Sequence, residues 1–399
     1  MHNRLLRPAA ALLAIGIVAA AAPASAEDVD TCRNSGRADD AIAACSRLIG
    51  EKPDKADYFY NRGKAYEQKR DLDRALADFD HAIKLRPDFA APYVNRGSIY
   101  EVKGDYDGAF ADSNQAIKLD PDYPTAYQLR GIVYSRRHDY DRGIADYDQM
   151  IKLNPNDATG YNLRGMTYRS KAGDIYWRRG DHDGAMPDYD RAIADFGQVI
   201  KFAPNFALAY INRGSVYLEK GDHDRAIADY GQAIKLAPNF AEAYDNRGNA
   251  YFRKGDHDRA ITDYDQAIKL RPNFAKAYVD RGNIHAVKGD RDRALADWNQ
   301  VIKFDDEAIK LNPKNAGAYV YRSTLYIRKG DYDRAIADLD QAIKLDPNDA
   351  LAYHGRGEAY EAKRDYTRAI ADFEMVLKLE PRAEVARRNI ERLGLQLGR

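Results

Sequence analysis

Ten prolines recur at nearly constant spacing along the chain: Pro53, Pro87, Pro121, Pro155, Pro204, Pro238, Pro272, Pro313, Pro347 and Pro381. The intervals are 34, 34, 34, 49, 34, 34, 41, 34 and 34 residues. A chain that restates itself at this period is built from one supersecondary unit copied along an axis, with each copy burying its apolar face against the next. Two further columns run beside the prolines. Gly63, Gly97, Gly131, Gly165, Gly214, Gly248, Gly282 and Gly357 form one, broken at Ser323. Ala41, Ala75, Ala109, Ala226, Ala260, Ala294, Ala335 and Ala369 form the other, broken at Gly143.

The residues between the columns predict two helices per unit. In the unit from Ala207 to Phe240, the residues Leu208, Tyr210, Ile211, Gly214, Tyr217 and Leu218 mark a mostly apolar stripe. Gly221 and Asp222 supply a helix C-terminal glycine and an N-cap aspartate. Ala226, Ile227, Tyr230, Ala233 and Ile234 repeat the stripe, and Pro238 ends it. Small Gly214 and Ala226 let the two helices approach closely, and the aromatic columns fill the wider space beside them. That recurrence explains why tyrosine is abundant at 29 while tryptophan numbers 2.

The pattern Tyr-x-Asn-Arg-Gly-x-x-Tyr, then Gly-Asp-x-Asp-Arg-Ala-Ile-Ala-Asp-Tyr, then Ala-Ile-Lys-Leu-x-Pro resembles the tetratricopeptide repeat (TPR). The resemblance covers residues 56–383 in nine units. It implies an all-α fold, a right-handed superhelical solenoid of antiparallel helix pairs with a concave, ligand-binding groove. Residues 27–55 read as a degenerate N-terminal capping repeat. Residues 384–399 read as a C-terminal capping helix, with Val385, Ile390, Leu393 and Leu397 on its apolar side.

Residues 1–26 stand apart from the repeats. Arg4 and Arg7 precede an apolar run from Ala9 to Ala22, and Ala24-Ser25-Ala26 has the small-x-small form of a cleavage site. This predicts a secretory signal peptide cleaved after Ala26, hence a periplasmic or secreted chain. Glu27 rather than Cys follows the site, so no lipid anchor is expected. Cys32 and Cys45 fit that compartment. In the register set by Ala41 and Pro53, they occupy the aromatic columns of Tyr66 and Phe79, which face each other across a helix pair. A Cys32–Cys45 disulfide stapling the shortened first hairpin is the expectation.

Two intervals exceed the period. In the 49-residue interval both helices are expected to lengthen by about two turns, which keeps their apolar faces aligned. Pro187 should kink the second of them or delay its start. In the 41-residue interval only the second helix lengthens, through Val301 to Ile309, and the extra turns must project or bend.

No catalytic constellation, cofactor-binding loop or metal-ligand spacing is present. His182, His223 and His257 each sit in Gly-Asp-His-Asp, but one per unit, about 10 Å apart, too far to share a metal. With 31 % charged residues and a formal net charge of zero, nothing points to nucleic acid or to a polytopic membrane protein. Nine arginines, one before each small residue of the glycine column, could hold an acidic ligand. Aspartates recur once per unit on the second helix, so an internal Arg–Asp ladder is the simpler expectation.

Partner-binding residues are sought where units differ. The resemblance places residues around the glycine on the concave face, where Asn212, Asn246, Asn249 and Asn283 form the most continuous polar strip. Their amides could hydrogen-bond an extended peptide. Trp177, flanked by Arg178 and Arg179, is the other candidate, since exposed Trp and Arg are typical binding hot spots. Trp298 belongs to an aromatic core column opposite His285. The chain is therefore expected to be a non-catalytic scaffold of the cell envelope that binds a protein or peptide. The alternative is an accessory subunit or chaperone of an envelope polysaccharide or cell-wall enzyme. An enzyme in its own right is not expected, because the repeats run on to the last residues.

Overall fold

The structure, a computed structural model, describes residues 24–396 and Gly398. The expected leader lies outside these residues apart from Ala24, Ser25 and Ala26, and Leu397 lies outside them too. Every regular element among the described residues is helical. The chain divides into two compact units, one ending at Gln198 and the other starting at Val199.

In the first unit α1 (Ala26–Asn34) pairs with α2 (Ala38–Glu51), and α3 (Ala56–Gln68) with α4 (Leu72–Leu85). Next come α5 (Ala90–Val102) with α6 (Tyr106–Leu119), and α7 (Pro124–Arg136) with α8 (Tyr140–Leu153). Helix α9 (Ala158–Gly173) runs on through a π-helical turn, Asp174–Arg178. Helix α10 (His182–Phe202) starts in the first unit and ends in the second.

The second unit holds the pairs α11 (Ala207–Glu219) with α12 (His223–Leu236) and α13 (Ala241–Arg253) with α14 (His257–Leu270). Helices α15 (Ala275–Val287) and α16 (Arg291–Leu311) follow, then α17 (Ala316–Lys329) with α18 (Tyr332–Leu345) and α19 (Ala350–Ala362) with α20 (Tyr366–Leu379). Helix α21 (Glu384–Gln396) packs on α20. Within each unit a second helix also packs on the first helix of the next pair, as α4 does on α5, α12 on α13 and α18 on α19. First helices of successive pairs touch as well, at α5–α7, α11–α13, α13–α15 and α17–α19. Each unit is thus an all-α solenoid of antiparallel helix pairs with its first helices side by side.

The turn chemistry is the same in most pairs. Gly221 takes the left-handed conformation (φ +81°) that ends α11. Asp222 then caps α12 by accepting the backbone N–H of Arg225. Asp71, Asp256, Asp290, Asp331 and Asp365 cap their helices in the same way. This is the role expected for Asp222. Inside the pair, the glycine column marks the closest approach. A Cβ placed on Gly248 would lie 2.8 Å from the Tyr264 ring, so any side chain there would force that ring to move.

The two long intervals resolve differently. Counting the π-helical turn, α9 reaches Arg178, and α10 spans 21 residues, so both helices are extended. Ala185, Tyr189, Ala192 and Phe196 are all buried, so both copies of the stripe on α10 face the core. Pro187 does not delay the helix, which starts at His182 just as α12 and α14 start at His223 and His257. Helix α16 is continuous for 21 residues, but its added turns do not simply project. Ile309 packs with Tyr319, Leu339, Ala342 and Ala352, so the next helix pair docks on the added turns.

At the start of the chain Cys32 and Cys45 are joined by a disulfide, their Cα atoms 4.8 Å apart, in a cluster with Ala44 and Leu48. Ser25 caps α1, its Oγ accepting the N–H of Asp28 while Asp28 accepts the N–H of Ser25. On α21 the buried residues are Ala386 and Leu393, with Ile390 half-buried beside them. Val385 is 51 % exposed, contrary to the expectation that it lines the apolar side. It sits one position ahead of Ala386, which takes the inward place instead.

Candidate functional site

The conspicuous arginine column is spent internally. Each of the nine arginines donates from Nε and Nη2 to both carboxylate oxygens of an aspartate on its partner helix. Arg62 holds Asp78, Arg130 holds Asp146, Arg213 holds Asp229, and Arg247 holds Asp263 at 2.8 and 2.7 Å. Arg96, Arg281, Arg322 and Arg356 hold Asp112, Asp297, Asp338 and Asp372. Arg164 holds Asp195, whose partner helix is the extended α10. Two-pronged geometry makes these among the stronger hydrogen bonds available to a side chain. The aspartates are buried, so losing one arginine would strand a charge at a cost of about 3–5 kcal/mol.

The third nitrogen, Nη1, reaches back to the preceding second helix. Asp80, Asp148, Asp306 and Asp340 receive it from Arg96, Arg164, Arg322 and Arg356 at 2.5–2.6 Å, and Asp265 receives it from Arg281. Asn114 and Ser46 receive it from Arg130 and Arg62. At these seven positions the column therefore ties a helix pair to its neighbour as well as to itself.

The four asparagines stand on neighbouring first helices of the second unit: Asn212 on α11, Asn246 and Asn249 on α13, Asn283 on α15. All four are half-buried. Asn249 and Asn283 are held by other side chains. Asn249 donates to the Asp245 carbonyl at 2.9 Å and to Asp245 Oδ2 at 3.3 Å, and accepts from the Tyr264 hydroxyl at 3.3 Å. Asn283 Oδ1 accepts from Arg328 Nη1 at 2.9 Å.

Asp245 belongs to none of the recurring motifs. Its column holds Tyr60, Val94, Gln128, Asn162, Ile211, Val279, Val320 and His354 in other pairs, so Asp245 is its lone acid. It is 2 % exposed. Oδ2 meets Lys276 Nζ, which also bonds Asp280 at 3.1 Å, whereas Oδ1 is buried with no partner. Burial raises the Asp245 carboxyl above the usual range, against the pull of Lys276. The α13–α15 face is thus a locked polar cluster rather than a row of free amides.

Trp177 lies on the π-helical turn and is 73 % exposed. The neighbouring Tyr176 is half-buried rather than in the core, because its ring lies flat on His182 at 4.0 Å. Trp177 meets that tyrosine edge-on at 4.8 Å. Arg178 and Arg179 are exposed beside it, and Arg178 pairs with Asp174 at 3.4 Å. The same turn walls a cleft lined by His138, Tyr140, Lys171, Asp174, Ile175 and Arg179. π-Helical turns of this kind occur often at functional sites. Trp298 is buried opposite buried His285, with its Nε1 unpartnered. Among the described residues no three His, Cys, Asp or Glu converge on a common point.

Tetratricopeptide repeat models match residues 56–89, 306–337 and 350–383, and a TPR repeat model matches 102–137, 214–255, 248–289 and 324–364. Together they take in more than half of the chain, and the chain belongs to the tetratricopeptide-repeat family. Among solved structures it is similar to a tetratricopeptide repeat protein from Parabacteroides merdae, at 20 % identity and TM-score 0.49, over 62 % of this chain and 91 % of that one. It is also similar to YrrB, described as a TPR protein with an unusual peptide-binding site, at 20 % identity and TM-score 0.40, over 53 % and 97 %. Yeast Tom70 aligns over 90 % of this chain and 93 % of its own, at 17 % identity and TM-score 0.45. No curated protein matches the chain.

Proposed function

We propose that the chain is a non-catalytic scaffold of the cell envelope that binds a protein or peptide partner. Repeat solenoids of this family present long surfaces built from many copies of one element, which suits them to recognition rather than chemistry. The family's repeat architecture supports the binding role. The Cys32–Cys45 bond supports an oxidising compartment and so a chain exported by its first 26 residues. No helix among the described residues is long and apolar enough to cross a membrane.

The observation that carries the reading is Trp177. An indole 73 % exposed on a π-helical turn, with two exposed arginines beside it, has the composition of a binding hot spot. The α11–α13–α15 face, with Asn212, Asn246, Asn249 and Asn283, is the second contact surface of this proposal. The test is capture from an envelope extract with photo-crosslinking, followed by mass spectrometry. The chain should retain a specific partner, and Trp177→Ala should weaken it by about thirtyfold, the scale of a 2 kcal/mol hot spot, with thermal stability unchanged. Recovery of nothing above background by the unaltered chain would sink the proposal.

A further inference from the structure

Seven of the nine ladder arginines give Nη1 to an acceptor sixteen residues back along the chain. Arg213 and Arg247 give it to none among the described residues. In both, the residue sixteen places back is glycine, Gly197 and Gly231. A Cβ on Gly231 would lie 3.8 Å from Arg247 Nη1, so the space an aspartate fills in other pairs is open here.

The donor is held ready for an incoming acceptor. Asp263 fixes the Arg247 guanidinium at Nε and Nη2, and the rings of Tyr244 and Tyr251 flank it at 5.8 and 5.9 Å. The arginine side chain stays 23 % exposed. Binding at Nη1 therefore does not require ordering a loose side chain. The equivalent guanidinium donates to a second carboxylate in five other pairs, so two carboxylates on one arginine is the commonest state of this column.

We propose that the open edge of Arg247 receives a side-chain carboxylate from an acidic segment of the partner. The partner would supply in trans what aspartates supply in cis elsewhere in the chain. The ligand class is thus a segment carrying Glu or Asp side chains. This inference rests on the reading of the chain as a peptide-binding scaffold and names the chemistry of its partner.

The test is fluorescence anisotropy of labelled hexaglutamate and hexaglutamine titrated with the full chain in low and high salt. Hexaglutamate should bind, and more weakly as salt rises; hexaglutamine should not. Gly231→Asp fills the gap from within, and should weaken hexaglutamate about fivefold, the worth of one charge pair, while leaving thermal stability equal or higher. Asp265→Ala opens the same edge at Arg281 and should strengthen binding by a similar factor. Equal affinity of the unaltered chain and Gly231→Asp for hexaglutamate would overturn the proposal, as would hexaglutamine binding as well as hexaglutamate. A captured partner that is lost with Trp177→Ala but fully kept with Gly231→Asp would also overturn it, while leaving the scaffold reading in place.

Discussion

Asp305 shows how a single residue carries the strain of an irregular repeat. It lies on the added turns of α16, half-buried, with Oδ2 enclosed and unpartnered. Burial pushes its carboxyl up to about 7, against the attraction of Arg322. In the unfolded chain it would titrate near 3.8. Between those values the folded chain keeps a proton that the unfolded chain has released. Its contribution to stability is therefore full below pH 3.8 and lost as pH rises through 7. Asp305→Asn should raise the midpoint of thermal unfolding at pH 8 and leave it nearly unchanged at pH 4, by roughly 2–4 °C per kcal/mol recovered. An equal gain at both pH values would rule out titration of Asp305 as the cause. The Arg–Asp ladder was legible in the sequence because both columns recur at every period. The Asp245–Lys276–Asp280 cluster was not, because it is a departure within one column, and its partners meet only when α15 packs on α13.

At the scale of elements, the first hairpin is the weakest and the most reinforced. Helix α1 has 9 residues where α3 has 13, and among the described residues it packs against α2 and α3. A helix that short is not stable by itself in water. The Cys32–Cys45 bond closes a loop of 13 residues, worth on the order of 3 kcal/mol. Cys32→Ala with Cys45→Ala should speed amide exchange throughout α1 and α2 while leaving α19 and α20 protected, measured by hydrogen–deuterium exchange. Unchanged exchange in α1 and α2 would show that packing alone holds the hairpin. The lengthened helices were readable because seven or eight added residues preserve helical phase. What the added turns touch was not readable. Docking of α17 on the far part of α16 follows from Ile309 finding Tyr319 and Leu339, a tertiary choice that no local pattern records.

For the molecule as a whole, stability is close to a sum of pair and neighbour terms. Removing residues 239–272 takes out one full period and joins Pro238 to Asn273, which reproduces the local sequence. The shortened chain should fold with unchanged helicity per residue and a urea m-value lower by roughly a tenth, following the surface removed. Loss of cooperative unfolding would show that the periods are not interchangeable. That interchangeability has a consequence for assembly. A rung formed by Arg247 and Asp263 looks to a folding chain much like one formed by Arg281 and Asp297, so the repeats carry no address. A helix pair can dock against the wrong copy one period away and satisfy nearly every contact, the characteristic misassembly of repeat chains. The irregular places supply the missing addresses. The disulfide marks one end, the long α9–α10 pair and the 21-residue α16 mark the interior, and a slip past any of them leaves a stripe or a carboxylate without its counterpart. The departures from the period are what let so repetitive a sequence settle in one register.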